Sequence, residues 1–182
     1  MKKLYAAIPL VLMAVAARAD DTQPARSLPA MGYLGSVSAD EIYDQLKAEP
    51  LFAKLNKELV GSPVMLRVTH SLAPTPGGKA SGLASGLLAA GTLGIIPVVT
   101  NNDLVVQYEV LVNGTVLASY SYRSNFTRSF NLWSKDKTNG LGADGVAWVR
   151  STPPQFMAAA REDAKLLALI DEYRYYFGSP AP

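Results

Sequence analysis

The stretch from Ala80 to Asn102 contains 23 residues without a charge, between Lys79 and Asp103. It constrains the fold most, because the rest of the chain must either bury this segment or present it to an apolar partner. Small residues recur at every fourth position, which on a helix places them along one stripe where another backbone can approach closely. The stripe consists of Gly82, Gly86, Ala90 and Gly94, with Leu83, Leu87 and Ile95 beside it.

The length of the uncharged segment suits a bilayer, since a spanning helix needs roughly 20 apolar residues. Its composition argues against a simple spanning helix. Each glycine lowers helix propensity by about 1 kcal/mol relative to alanine, and Pro97 interrupts a continuous helix. The sequence therefore leaves three environments open for residues 80–99: a membrane, a partner's helix, or the interior of the protein's own domain.

Residues 1–19 have the organisation of a secretory signal peptide. Lys2 and Lys3 form the basic start, an apolar stretch follows, and residues 17–19 form a small-x-small cleavage site. We expect cleavage after Ala19 and export to the bacterial periplasm or to the inner or outer membrane; the alternative is an uncleaved anchor. Loss of the three basic residues in this segment lowers the formal net charge from +2 to −1. The charge therefore indicates no nucleic-acid partner.

The remaining sequence predicts a single α+β domain over residues 38–178, between a flexible leader at 20–37 and a tail at 179–182. A capping box at Ser38 begins a first helix, and Pro50 begins a second helix that ends at Gly61. We expect an antiparallel sheet of three or four strands, packed against this N-terminal helical pair and a long C-terminal helix.

Alternation of apolar and polar residues predicts a strand at 64–70 and a hairpin formed by 104–112 and 116–128. The apolar faces of the hairpin meet on one side only if the numbers of paired residues have an even sum. A three-residue loop at 112–114 meets this condition by pairing 110 with 116. A two-residue loop at 113–114 would place the apolar faces on opposite sides, so we expect the longer loop.

The C-terminal third predicts a loop at 135–145, a short last strand at Gly145–Val149, and a long helix from Pro153 to Phe177. Trp133 and Trp148 are expected to pack together at the base of the loop. The end of the helix is aromatic at nearly consecutive positions, which suits a membrane interface, with ordinary packing on the sheet as the alternative. These candidate interface aromatics are Tyr173, Tyr175, Tyr176 and Phe177.

The inventory of reactive side chains excludes several enzyme classes. The chain has no cysteine and a single histidine, His70, so it can form neither a cysteine–histidine pair nor a multi-histidine metal site. We interpret His70 as a residue at the edge of the core and the paired carboxylates as solvated helix faces. No pattern predicts a catalytic residue, a cofactor or a metal.

These observations favour a non-enzymatic envelope protein with a binding or assembly role in the periplasm or at a membrane surface. A membrane or another envelope protein is the expected partner of residues 80–99. One alternative is a membrane-integrated component that uses the same residues to span or to pack helices. The other is a periplasmic enzyme with a cleft between the sheet and the loop at 135–145.

Overall fold

The computed structural model describes residues 26–36, 39–93, 95–130 and 141–178. Their elements in chain order are β1 (Met31–Gly35), α1 (Ala39–Lys47), a 3₁₀ turn (Pro50–Phe52), β2 (Leu55–Asn56), β3 (Val64–Pro74), α2 (Pro76–Gly91), β4 (Val98–Val112), β5 (Thr115–Phe130), α3 (Gly142–Arg150), α4 (Thr152–Glu162) and α5 (Ala164–Phe177).

Some of the sequence-based expectations concern residues outside these ranges. They are the signal peptide with its cleavage site, the serine of the capping box, Gly94 of the small-residue stripe, the contact of Trp133 with Trp148, and the C-terminal tail. They remain predictions.

The five strands form one mixed sheet in the order β2-β1-β3-β4-β5. Strand β1 is parallel to both of its neighbours, whereas β3, β4 and β5 are antiparallel. The α+β class is therefore confirmed. The expectation of three or four purely antiparallel strands is wrong, because the N-terminal residues supply two further, parallel strands.

Strand β1 lies inside the segment 20–37, which we expected to be a flexible leader. It is sandwiched between β2 and β3, and Leu28, Met31 and Tyr33 are buried. A strand of five residues with two glycines has little periodicity of its own. Its stability comes from partners that are distant in the sequence, which is why the composition suggested a leader instead.

The predicted second helix, residues 50–61, ends after a single 3₁₀ turn. The chain then turns, and Leu55 enters β2, where it is buried. The side chain of Asn56 accepts a hydrogen bond from the backbone N–H of Glu58 at 2.8 Å. This local bond favours a turn over a helix, and Leu59, which an inward-facing stripe of that helix would bury, is exposed.

The β4–β5 hairpin has the predicted faces but a different loop. Asn113 and Gly114 form a two-residue loop with φ values of 51° and 78°, the combination that a type I′ turn requires. A β-bulge next to Val110 shifts the register by one residue. Tyr108 therefore pairs with Tyr120, an even sum, so the bulge achieves what we expected of the longer loop.

The segment Gly145–Val149, expected to be the last strand, lies within α3. Its two end residues are buried together with Leu141, at the four-residue spacing of a helix. Trp148 packs edge-on against Phe126 of β5, with ring centroids 5.9 Å apart. The glycines near the start of this segment suggested a loop, but packing of the helix on β5 overrides their low helix propensity.

The core lies between one face of the sheet and the helices, and its centre is aromatic. Phe156 of α4 stacks on Tyr108 at 4.4 Å between centroids, and it contacts Phe52 at 5.3 Å and Tyr120 at 5.1 Å. Burial raises the pKa of Tyr108 to about 12, although its hydroxyl forms a 2.7 Å hydrogen bond with Thr152. This cluster joins the 3₁₀ turn, β4, β5 and α4.

The predicted long C-terminal helix is two helices, α4 and α5, which meet at Asp163. The carboxylate of Asp163 accepts hydrogen bonds from the backbone N–H groups of Lys165 at 2.8 Å and Leu166 at 3.4 Å, so it caps α5. The Tyr120 hydroxyl donates to the same carboxylate at 2.6 Å. Burial opposes ionisation of Asp163, but these bonds and the Lys165 charge outweigh it and lower the pKa of the carboxyl.

Replacing Asp163 with alanine is expected to lower the free energy of unfolding by about 1–2 kcal/mol, because α5 loses its N-cap. The folded-state pKa of Asp163 is depressed. The stabilisation by this carboxylate is therefore complete above its unfolded pKa of about 3.9 and is lost as pH falls through the folded value. Urea unfolding near pH 7 and again at roughly pH 2 measures both effects.

The matched control is Asp163→Asn, which keeps a capping oxygen and removes the charge. We expect it to be less destabilising than Asp163→Ala near neutral pH. The difference between wild type and Asp163→Ala should shrink in acid. An undiminished difference at low pH would show that the carboxylate charge does not contribute.

Candidate contact surfaces

Helix α2 takes the place beside β4 that a strand would otherwise fill. Strand β3 pairs with β4 only as far as Asn102. Beyond that point the backbone N–H of Thr75 donates to the Asn101 carbonyl at 3.0 Å, and the Val99 N–H donates to the Ser85 hydroxyl at 2.9 Å. The start of α2 thus covers a sheet edge and satisfies its backbone groups.

The face of α2 that lies on β4 is made of small residues because the helix approaches the strand backbone closely. A Cβ added to Gly78 would overlap the carbonyl oxygen of Asn101 and would lie 2.7 Å from the carbonyl carbon of that residue. One turn later, a Cβ on Gly82 would lie 3.3 Å from the methyl group of Thr100. Ala89 is fully buried. Larger side chains would separate the helix from the sheet.

The predicted stripe of small residues coincides only partly with this packing face. Gly82 contacts β4, but a Cβ on Gly86 would meet nothing within 4 Å, and Ala90 is exposed. The position of β4 decides which side of the helix packs on the sheet, and the spacing of small residues in the sequence does not reveal that position. Gly78, Gly82 and Ser85 lie against β4, and Ala89 continues their spacing and is buried.

The opposite side of α2 and the turn after it present aliphatic side chains to solvent. Of the candidate contact residues, Leu83 is 73% exposed, Leu87 77% and Ile95 82%. Within the described ranges, no helix is long and apolar enough to cross a membrane. Exposed apolar side chains grouped in this way usually mark an interaction site. We call this group, which also contains Leu88 and Leu93, the outward face of α2.

The aromatic end of α5 is a second exposed surface. The side chains of Tyr175, Tyr176 and Phe177 are exposed, and Tyr173 is exposed to a lesser degree. Tyr173 packs on Phe177 with centroids 4.9 Å apart, so these rings contact one another. Their exposure disagrees with the alternative expectation, which is ordinary packing of these rings on the sheet. The residues of α5 that are buried lie earlier in the helix, at Leu166 and Ile170.

A cavity of about 210 Å³ lies between the end of β5 and the start of α3. Its lining includes Arg128 from the strand and Asp144 from the first turn of the helix. This is the region where the enzyme alternative would place a cleft. Among the described residues, no group of three or more histidine, cysteine or acidic side chains could hold a metal ion.

His70 lies in β3, opposite Val106, and is half-buried. Its Nδ1 atom is 3.1 Å from the hydroxyl of Ser36, and that hydroxyl also accepts a hydrogen bond from the His70 backbone N–H at 3.2 Å. A catalytic serine–histidine–acid triad needs an acidic side chain hydrogen-bonded to the imidazole, and the contact of His70 with Ser36 supplies no acid. These bonds hold the chain after β1 against β3.

Comparisons with known proteins identify no family. No protein-family model matches the chain, and no curated protein matches it. Among solved structures, the crystal structure of the rare lipoprotein B from Shewanella oneidensis is similar over 72% of this chain and 95% of that chain, with 10% sequence identity and a TM-score of 0.29. At this score and identity the likeness establishes neither a shared fold nor a shared function.

Proposed function

We propose that this protein is a non-enzymatic component of the bacterial cell envelope that docks on a membrane surface through the outward face of α2. The observation that carries the proposal is the exposure of Leu83 and Leu87 on a helix whose other face packs on β4, together with that of Ile95 in the turn after the helix. In the docked protein these side chains enter the acyl region, while the sheet and the remaining helices stay outside it.

The chemistry of the outward face favours lipid over a protein partner. Protein interfaces concentrate their binding energy in tyrosine, tryptophan and arginine, which give directional contacts. The large side chains of the outward face are leucine and isoleucine, with alanine and glycine between them, and residues 80–102 carry no charge. Lipid acyl chains form no directional contacts, so such a face suits the acyl region just beneath the headgroups of a bilayer.

The attachment of α2 to the sheet supports docking on a surface rather than insertion across the bilayer. Bonds from Thr75 and Ser85 to β4 and the close contact at Gly78 hold the helix along the strand. Crossing a membrane would break these bonds and leave backbone groups of β4 without partners. Docking through the outward face leaves them in place. The membrane-integrated alternative therefore requires α2 to detach from its own domain.

The predicted signal peptide at residues 1–19 supports the assignment to the envelope. An exported chain meets the outer leaflet of the inner membrane or the inner leaflet of the outer membrane. Because the outward face carries no charge, we expect similar binding to zwitterionic and anionic lipid, and little dependence on salt. This behaviour would distinguish it from proteins that bind through basic patches.

Flotation of the purified protein with phospholipid vesicles tests the proposal. The wild-type protein is expected to float with the vesicles. The double variant Leu83→Ser, Leu87→Ser should bind roughly 100-fold more weakly, because each leucine contributes about 1.5 kcal/mol when it is withdrawn from water. Both side chains are exposed, so the fold should be unaffected.

The control variant, Leu34→Ser with Val60→Ser, removes two exposed apolar side chains from other parts of the surface. It should float as the wild-type protein does. If the variant at Leu83 and Leu87 floats equally well, the outward face of α2 is not the membrane contact and the proposal fails.

A further inference from the structure

Strand β5 is an open edge of the sheet over most of its 16 residues. Within the described part of the chain, no strand pairs with its outer side. Natural proteins usually keep edge strands short or protect them with proline, lysine or a bulge. Residues 115–130 contain no proline, their only charged side chains are Arg123 and Arg128, and the bulge lies at the loop end of the hairpin. Among the described residues, nothing pairs with the outer side of residues 118–127, which therefore present a regular edge for a further strand.

We propose that this edge pairs with the same edge of a second copy of the chain, in antiparallel register about a two-fold axis at Ser124. The two sheets of five strands then become one continuous sheet. Directly opposite residues of an antiparallel pair share a face, so only axes that pair even numbers with even numbers keep the helices of both copies on one side. Every axis centred on a residue meets this condition, so the charge and size of the side chains decide among Tyr122, Arg123 and Ser124.

Charge argues against the neighbouring axis. Strand β5 carries Arg123 and Arg128 and no acidic residue, so an axis at Arg123 would place two identical charges directly opposite each other. With the axis at Ser124, Arg123 lies opposite Asn125 of the second copy, whose amide donates to Asp103 at 2.9 Å. The side chain of Arg123 forms no hydrogen bond or ion pair with another described residue, so it is available to contact this Asn125–Asp103 pair.

The other side chains also complement one another in this register. An axis at Tyr122 would place the bulky Phe126 opposite the buried Ala118, whereas the axis at Ser124 places Phe126 opposite Tyr122. Aromatic pairs and pairs of small hydroxyl residues are favourable across antiparallel strands. The resulting cross-strand pairs are Tyr122 with Phe126, Tyr120 with Arg128, Ser121 with Thr127, and Ser119 with Ser129, each formed twice.

Variants with a single introduced cysteine test this pairing. The chain contains no cysteine of its own, so no other disulfide can form. Ser124→Cys would place two thiols at the axis, where the Cα separation of about 4.5–5.5 Å suits a disulfide. Under mild oxidation the full chain with Ser124→Cys is expected to run as a disulfide-linked dimer on a non-reducing gel. The matched variant Ser119→Cys, whose opposite residue is Ser129, is expected to remain monomeric.

Both cysteine variants would also carry Leu83→Ser and Leu87→Ser, which prevents cross-linking through the outward face of α2 and separates this test from the membrane test. Adding Ser121→Lys, which places a positive charge beside Arg123 at the edge, should reduce the dimer fraction roughly fivefold, whereas Ser121→Thr should preserve it. The proposal is overturned if positions 119 and 124 cross-link equally, or if a folded Ser124→Cys protein stays monomeric.

Discussion

Gly78→Ala is expected to lower the free energy of unfolding by about 3 kcal/mol, although it adds a single methyl group to a helix. That methyl group would overlap backbone atoms of Asn101. The carbonyl of Asn101 accepts a hydrogen bond from the Thr75 N–H, and Asn101 also pairs with Thr127 of β5 in the sheet. Neither the helix nor the strand can therefore move apart without breaking the hydrogen bonds that hold α2 against β4.

The matched control for Gly78→Ala is Gly86→Ala in the same helix. A Cβ at Gly86 would meet nothing within 4 Å, so alanine there should raise the free energy of unfolding by up to about 1 kcal/mol through helix propensity. Urea unfolding of both variants measures the contrast. Equal effects, or effects of the same sign, would contradict the placement of α2 on β4.

Phe156→Ala is expected to destabilise the protein by about 4 kcal/mol. The ring is fully buried, stacks on Tyr108 and contacts Phe52 and Tyr120, so its removal leaves a cavity between the sheet and α4. Gln155→Ala, the exposed neighbour in the same helix, should change the stability by less than about 0.5 kcal/mol. A loss below roughly 1 kcal/mol for Phe156→Ala would show that the cluster is not the centre of the core.

The hairpin shows what alternation in the sequence can and cannot establish. Alternating residues identified both strands and the faces that meet the core, because burial of one face fixes the register to within even steps. The bulge next to Val110 could not be inferred, since an extra residue in one strand changes the loop length that satisfies the same condition. Asn113-Gly114 is the local indication of a two-residue loop, but with regular pairing such a loop would put the apolar faces on opposite sides of the sheet.

The break between α4 and α5 at Asp163 has a local cue in the sequence. An aspartate followed by a new apolar repeat is a typical N-cap, and Leu166 rather than Ala164 is buried after it. The pair Glu162 and Asp163 also fits solvated charge on one continuous helix, so the cue is ambiguous in the sequence. The bond from Tyr120 to Asp163 depends on the sheet, so the tertiary contact that fixes the break is absent from the local sequence.

The N-terminal strands and the orientation of α2 depend on contacts between distant parts of the chain. Strand β1 is stabilised by β2 and β3, and neither partner is visible in its five residues. For α2, the small residues of the uncharged segment indicate close packing, and Gly78 and Gly82 lie against β4. The segment does not reveal that Gly78 and Gly82 face the strand while Leu83 and Leu87 face solvent, because the position of β4 decides which side of the helix is buried.

Docking of the outward face of α2 on a membrane is tested most directly by a polarity-sensitive fluorophore at position 87. The chain lacks cysteine, so Leu87→Cys can be labelled at one site, with Val60→Cys as an equally exposed control on another part of the surface. Adding vesicles should shift the emission of the label at 87 to shorter wavelength and leave the label at 60 unchanged. Unchanged emission at 87, or equal shifts at both positions, would contradict the account.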